Sequence, residues 1–117
     1  MNAIENKLEE LIEQHYKTHK EPGFYAEQLG CSLKKINEVL KLQHNSSISQ
    51  MVQDRLQREA VRLVKGTKMS MKEITYELGI RDPAYFNRRF KQLTGDTPLK
   101  YRRKHKANYS FHATIEK

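Results

Sequence analysis

An all-α fold made of two related halves is predicted by three features of this 117-residue chain. Apolar residues recur at three- and four-residue spacing almost throughout, as the buried stripe of a helix requires. Helix start and stop signals punctuate that pattern at helical lengths, with Ser, Thr or Asp before a run and Gly or Asn after it. A segment of the first half also returns in the second, so one short-helix, turn, longer-helix unit occurs twice.

The elements follow in order. Ile4, Leu8, Leu11, Ile12 and Tyr16 form one stripe, predicting a first helix that ends before Pro22-Gly23. A short helix over 24–29 comes next, and Gly30 suits the left-handed residue that closes it. Ser32 caps a third helix to about Gln43, with Ile36, Val39 and Leu40 facing inward; Asn45 tolerates the left-handed conformation that ends it. Ser47 caps a long linker helix, about 47–65, whose inner face is Ile48, Met51, Val52, Leu56, Ala60, Leu63 and Val64, with Gly66 as its stop. Ser70-Met71-Lys72-Glu73 reads as a capping box, opening a fifth helix that stops at Gly79. Asp82-Pro83 supplies a cap and a proline at the first helical position for a helix over 83–93. Its core side would be Phe86, Phe90 and Leu93. Thr97-Pro98 repeats the device for a seventh helix near 98–105. In residues 107–117 Tyr109, Phe111, Ala113 and Ile115 alternate, but with no partner strand this reads as a flexible C-terminal tail.

The repeat can be followed residue by residue. Ala26-Glu27-Gln28-Leu29-Gly30 aligns with Thr75-Tyr76-Glu77-Leu78-Gly79. After one inserted residue Ile36-Asn37 aligns with Phe86-Asn87, Leu40-Lys41 with Phe90-Lys91, Asn45 with Gly95, and Ser47 with Thr97. Two helix-turn-helix units, about 4–46 and 69–105, are thus joined by the linker helix.

Charge is unevenly distributed. The net charge is +8, yet residues 1–30 carry three Lys and six Glu, whereas residues 81–106 carry nine basic and two acidic side chains. A basic half suggests a polyanionic partner: nucleic acid, an acidic membrane surface or an acidic protein. A solvated face that aids solubility is the plainer alternative. No apolar run approaches the roughly 18 residues of a membrane helix, so no spanning segment is expected, and of the polyanions a membrane is not the expected partner. Cys31 is the one cysteine, so it has no intramolecular disulfide partner and a reducing, cytoplasmic setting is expected.

The exposed helix faces offer the chemistry. On helix 83–93 the helical period sets Ala84, Asn87, Arg88 and Lys91 opposite the core side. Arg forks onto guanine, Asn pairs with adenine, and a small side chain allows close approach in a major groove. Arg89, Lys91 and the run Arg102-Arg103-Lys104 suit phosphate neutralisation, which positions a protein without reading sequence. The first unit presents Lys34, Lys35, Asn37, Glu38 and Lys41. Glu38 either accepts from the cytosine amino group or pairs along the helix with Lys34 or Lys41. A linker of roughly 18 residues is about 27 Å long, so recognition helices at its two ends could lie about 34 Å apart, near one DNA turn.

The stretch DPAYFNRRFKQLTGDTPLKYRRK resembles the signature of AraC/XylS-family transcriptional regulators, through Phe86, Arg88, Phe90-Lys91, Gly95, Thr97-Pro98 and Tyr101-Arg102. Ala26, Leu29, Ser32, Ile36, Lys41 and the Arg55…Ala60…Leu63 pattern resemble the family's first unit, so the likeness covers about residues 4–104. It implies a two-unit DNA-binding domain over 1–106 that recognises double-stranded promoter DNA. Lys34, Asn37 and Glu38 fall on the family's base-facing positions in the first unit, and Ala84, Asn87 and Arg88 in the second. Lys35 and Lys41 then join Arg89, Lys91, Arg102, Arg103 and Lys104 as phosphate contacts. RNA polymerase and an N-terminal sensor or dimerisation domain outside this chain are further implied partners. The chain is expected to be the C-terminal part of a longer ligand-responsive regulator, or else a free-standing small one. Thr75 and Ile80 stand where the family usually has Ala and Phe, and Asn45 where it often has Gly; these are packing and turn positions.

Rival classes are less well supported. His15 and His19 have metal-ligand spacing on one helix, but no Glu of a metalloprotease motif lies between them and no further ligand is evident. Cys31 precedes a helix start, yet it aligns with the hydrophobic Ile80 and reads as a packing spacer. No phosphate loop or nucleophile elbow is present, so neither an enzyme nor a cofactor is expected. RNA readers stack unpaired bases on surface aromatics, whereas Phe86, Phe90 and Tyr101 sit at core spacing. A protein-interaction role for the acidic first helix is compatible with DNA binding.

Overall fold

The computed structural model describes residues 3–105, and among them it holds seven helices and no strand. These are α1 (Ala3–His15), α2 (Pro22–Leu29), α3 (Leu33–His44), α4 (Ile48–Gly66), α5 (Met71–Glu77), α6 (Pro83–Thr94) and α7 (98–105). The tail read over 107–117 lies outside the described residues.

Local chemistry sets most helix ends. Ser32 caps α3 by accepting from Lys35 N at 3.1 Å, and Asp82 caps α6 by accepting from Tyr85 N at 3.1 Å. Ser70 and Glu73 form the reciprocal capping box of α5, with bonds of 3.0 and 2.8 Å. Hydrogen bonding from Ser70, its backbone N–H first and its side chain second, holds the Glu73 carboxyl below its ordinary range. Asn45, at φ 50°, and Gly95, at φ 89°, take the left-handed conformation after α3 and α6. Helix α2 begins two residues before the expected Phe24, because Pro22 fits the first helical position, where an N–H is not needed. Gly66 is the last residue within α4 rather than the residue beyond it.

The chain divides into two compact units between Gln57 and Arg58, inside α4. The first unit buries Leu8, Ile12, Tyr16, Tyr25, Ala26, Ile36, Leu40, Ile48, Val52 and Leu56. The second buries Ala60, Leu63, Val64, Ile74, Leu78, Phe86 and Phe90. Removing each such Leu, Ile or Phe side chain from water contributes roughly 1.5–3 kcal/mol against the entropy of ordering the chain. Several expected core positions differ: Ile4, Leu11 and Tyr101 are only half-buried. Val39 and Met51 are half-buried, and Leu93 is 55% exposed. Leu93 lies in the last turn of α6, two residues before the left-handed Gly95.

Polar ties lock the first unit. Glu5 is only 4% exposed and its Oε2 lies 2.8 Å from His44 Nε2, joining α1 to the last turn of α3. Arg55 of α4 forks onto Glu13 of α1 with bonds of 2.7 and 2.8 Å. Tyr25 donates its hydroxyl to His19 O at 2.6 Å, and burial, helped by the charge of Glu21, pushes the phenol pKa up to about 12. His19 stacks on Phe24 with ring centroids 3.9 Å apart, and His15 meets His19 edge-on at 5.6 Å, so both rings serve packing. Among the described residues no cluster of three or more His, Cys, Asp or Glu is arranged to hold a metal ion. Among them, too, no helix is long and apolar enough to cross a membrane.

Candidate nucleic-acid interface

Each unit builds a turn of the same design before its presented helix. In the first, Gly30 (φ 68°) follows α2, and Cys31 N donates to Ala26 O at 3.2 Å. In the second, Gly79 (φ 65°) follows α5, and Ile80 N donates to Thr75 O at 2.8 Å. These are the same positions of the sequence repeat. The Schellman-type closure sends the chain sharply into the next helix, and only glycine takes that left-handed residue without penalty. Thr75, where the first unit has Ala26, is buried and satisfies its hydroxyl by donating to Lys72 O at 2.9 Å. Cys31 and Ile80 are both half-buried beside these turns.

The presented helices then carry matching stripes at positions i, i+3, i+4 and i+7. On α3 the stripe is Lys34, Asn37, Glu38 and Lys41; on α6 it is Ala84, Asn87, Arg88 and Lys91. All four α6 residues are exposed. On α3, Lys34, Glu38 and Lys41 are exposed, but Asn37 is half-buried, and its Oδ1 accepts from Ile48 N at 3.0 Å. That bond satisfies one of the otherwise unpartnered N–H groups at the start of α4. Among the described residues no ion pair joins Glu38 to Lys34 or Lys41, although the spacing permits it.

The residues expected at phosphates divide into two sets. Lys35, Lys91 and Arg103 are exposed. Arg89 is half-buried, with its Nε shielded inside the protein. Arg102 is engaged in the fold: its Nε donates to Val64 O at 2.8 Å, near the end of α4, and its second guanidinium arm to Leu63 O at 3.4 Å, a carbonyl that also accepts from Thr67 N and Thr67 Oγ1. Lys104 pairs with Asp96 at 2.9 Å, and Lys100 lies 3.7 Å from the same carboxylate. The hydrogen bond from Lys104 holds the Asp96 carboxyl below its ordinary range.

Tyr85 was not singled out by the sequence reading. It is 45% exposed on α6, and the Arg88 guanidinium lies 6.0 Å from its ring centroid. The i, i+3 spacing of Tyr85 and Arg88 was the available signal. Leu42 and Tyr76 are each 87% exposed, on α3 and α5.

Comparison with known proteins places this geometry. A family profile described as a helix-turn-helix domain matches residues 25–104. The uncharacterised HTH-type transcriptional regulator YisR of Bacillus subtilis is 42% identical over 45 residues, 38% of this chain and 16% of that protein. A histidine kinase of Formosa agariphila matches at 22% identity over 73% of this chain. The chain thus spans 6% and 16% of the length of these two curated relatives. Among solved structures, the DNA-binding domain of the global transcriptional factor AdpA, crystallised with a target DNA, superposes with a TM-score of 0.79 at 18% identity. That match covers 92% of this chain and 96% of AdpA's. A probable AraC family transcriptional regulator from Rhodopseudomonas palustris superposes with a TM-score of 0.78 at 15% identity, covering 89% of this chain and 98% of that one. At such identities the two superpositions speak for the fold, and the family is carried by the profile match over both units. The chain belongs to the AraC/XylS family, the helix-turn-helix DNA-binding domains of transcriptional regulators.

Proposed function

We propose that this chain recognises promoter DNA by placing α3 and α6 in successive major grooves of one duplex. The observation that carries the reading is the pair of matched stripes, each on a capped helix that follows the same glycine turn. A stripe at i, i+3, i+4 and i+7 is what one helix lays along a groove. On α6 the exposed Asn87 and Arg88 have the donor and acceptor geometry for adenine and guanine, with Ala84 permitting close approach. Lys35, Lys41, Lys91 and Arg103 neutralise phosphates, and Lys34 lies in the base-facing stripe of α3.

In this reading the chain is the DNA-reading portion of a cytoplasmic regulator and catalyses nothing. A sensor or dimerisation domain supplied outside it, and RNA polymerase at the promoter, complete the proposed assembly. The long relatives of which it spans a small share support that arrangement.

The test is selection from a random duplex library at about 150 mM salt, where charge-driven binding is already weakened. Two enriched boxes centred roughly 10 base pairs apart are expected. Arg88→Ala should then cost about 1–3 kcal/mol at the selected site and relax preference at one base pair. Retention of DNA without enrichment would reduce the protein to a polyanion binder.

A further inference from the structure

The two units are the same device, yet they differ at the one matched pair of asparagines. Asn37 of α3 and Asn87 of α6 occupy equivalent places in their stripes. The Asn37 amide is half-buried and its oxygen is held by Ile48 N at 3.0 Å. Adenine recognition by asparagine needs both ends of the amide, the oxygen accepting from N6 and the nitrogen donating to N7. That bond takes one of the two lone pairs on the Asn37 oxygen and holds the half-buried amide towards the start of α4, so pairing with adenine would have to share or give up the cap.

The second unit has no such demand. The residue matched to Ile48 is Pro98, which carries no N–H and sits at the first position of α7, where proline fits best. Asn87 is exposed, and among the described residues no hydrogen bond engages it. The next stripe position reinforces the contrast. Arg88 on α6 is matched in the repeat by Glu38 on α3, so a guanine-seeking fork is replaced by a carboxylate that DNA phosphates repel.

We infer that base discrimination is divided unequally: α6 defines its box through adenine and guanine, while α3 anchors through Lys34, Lys35 and Lys41 with little base preference. The site in question is the DNA surface proposed above, so this rests on that reading. The chemistry predicts an asymmetric target. One box is sharp, with a purine pair at its centre, and the other is diffuse and felt mainly as salt-dependent affinity.

Two isosteric variants separate the alternatives in the same library selection. Asn37→Asp keeps an oxygen for Ile48 N and removes the amide donors; Asn87→Asp removes the same donors from α6. Each adds one negative charge, so both should lose affinity by a similar, sequence-independent factor. Asn87→Asp should in addition abolish adenine preference at one position of the sharp box, a loss of roughly tenfold or more in discrimination. Asn37→Asp should leave the preference at every position unchanged, with a thermal midpoint no lower than that of the unsubstituted chain. A third variant, Glu38→Gln, should raise affinity for all sequences without moving any base preference.

An altered base preference in Asn37→Asp, or loss of a cytosine preference in Glu38→Gln, would overturn the unequal division while leaving two-helix recognition intact. Absence of any enriched position for the unsubstituted chain would overturn the base-reading proposal itself, and this inference with it.

Discussion

The first and second units share a turn, a capped helix and a stripe, but they spend their polar side chains differently. In the first unit the start of the following helix takes its acceptor from the recognition helix, through Asn37 and Ile48 N. In the second a proline removes the donor, and the matched asparagine stays at the surface. At the position matched to Val52, which packs in the first core, the second unit has Arg102 on the carbonyls of α4. The difference teaches that a surface side chain is available for recognition only when the backbone beneath it is satisfied by something else.

The largest effects should come from the cores, where the two units are equivalent. Phe90 and Leu40 occupy matched positions and are 0% and 1% exposed. Phe90→Ala should cost about 3–5 kcal/mol and Leu40→Ala about 2–5 kcal/mol, each read by thermal or denaturant unfolding. An unchanged midpoint for either would break the equivalence of the two cores. Next comes Arg102→Ala, which strips a charged donor from two α4 carbonyls and should cost about 1.5–3 kcal/mol of stability. If it instead left stability untouched and only weakened DNA binding, Arg102 would return to the phosphate set.

A smaller effect sharpens the asparagine contrast. Asn37→Ala leaves Ile48 N without its acceptor and should destabilise by about 0.5–2 kcal/mol. Asn87→Ala should stay within about 0.5 kcal/mol, as exposed substitutions do. Equal losses in the two variants would erase the distinction.

The smallest effect is one of pH, and it belongs to the second unit. The Asp96 carboxyl is held below its ordinary range by the hydrogen bond from Lys104 and by the charges of Lys104 and Lys100. A carboxyl whose folded pKa is depressed contributes stability above its unfolded pKa, and that contribution fades as pH falls through the folded value. Melting temperatures taken between about pH 6 and pH 3 should therefore fall less steeply for Asp96→Asn than for the unsubstituted chain. Parallel curves would show the pair to be without consequence.

Much of this architecture was legible because it is local. Ser32, Ser70 with Glu73, and Asp82 cap helices by bonds to N–H groups three residues away, so their signals lie within one turn of sequence. Gly30 and Gly95 mark left-handed residues for the same reason. The stripe on α6 was readable from period alone, since among the described residues nothing beyond its own helix competes for Ala84, Asn87 or Arg88. The commitment of Asn37 was not readable, because its partner is eleven positions away on another helix. Nor was that of Arg102, whose carbonyl acceptors lie 38 and 39 positions back. Burial of Glu5 went unseen because a carboxylate on an acidic helix reads as solvated until His44, 39 positions on, is seen beside it.

Helix α1 bears on where the folding domain can be cut. The helix-turn-helix match opens at residue 25, beyond α1. Yet α1 buries Leu8 completely and Ile12 nearly so, and Glu5 and Glu13 tie it to His44 and Arg55. A version trimmed to the matched segment would expose the apolar underside of α2, α3 and α4 and strip Arg55 of its carboxylate. A version so trimmed should therefore melt at a lower temperature than one that keeps the acidic helix.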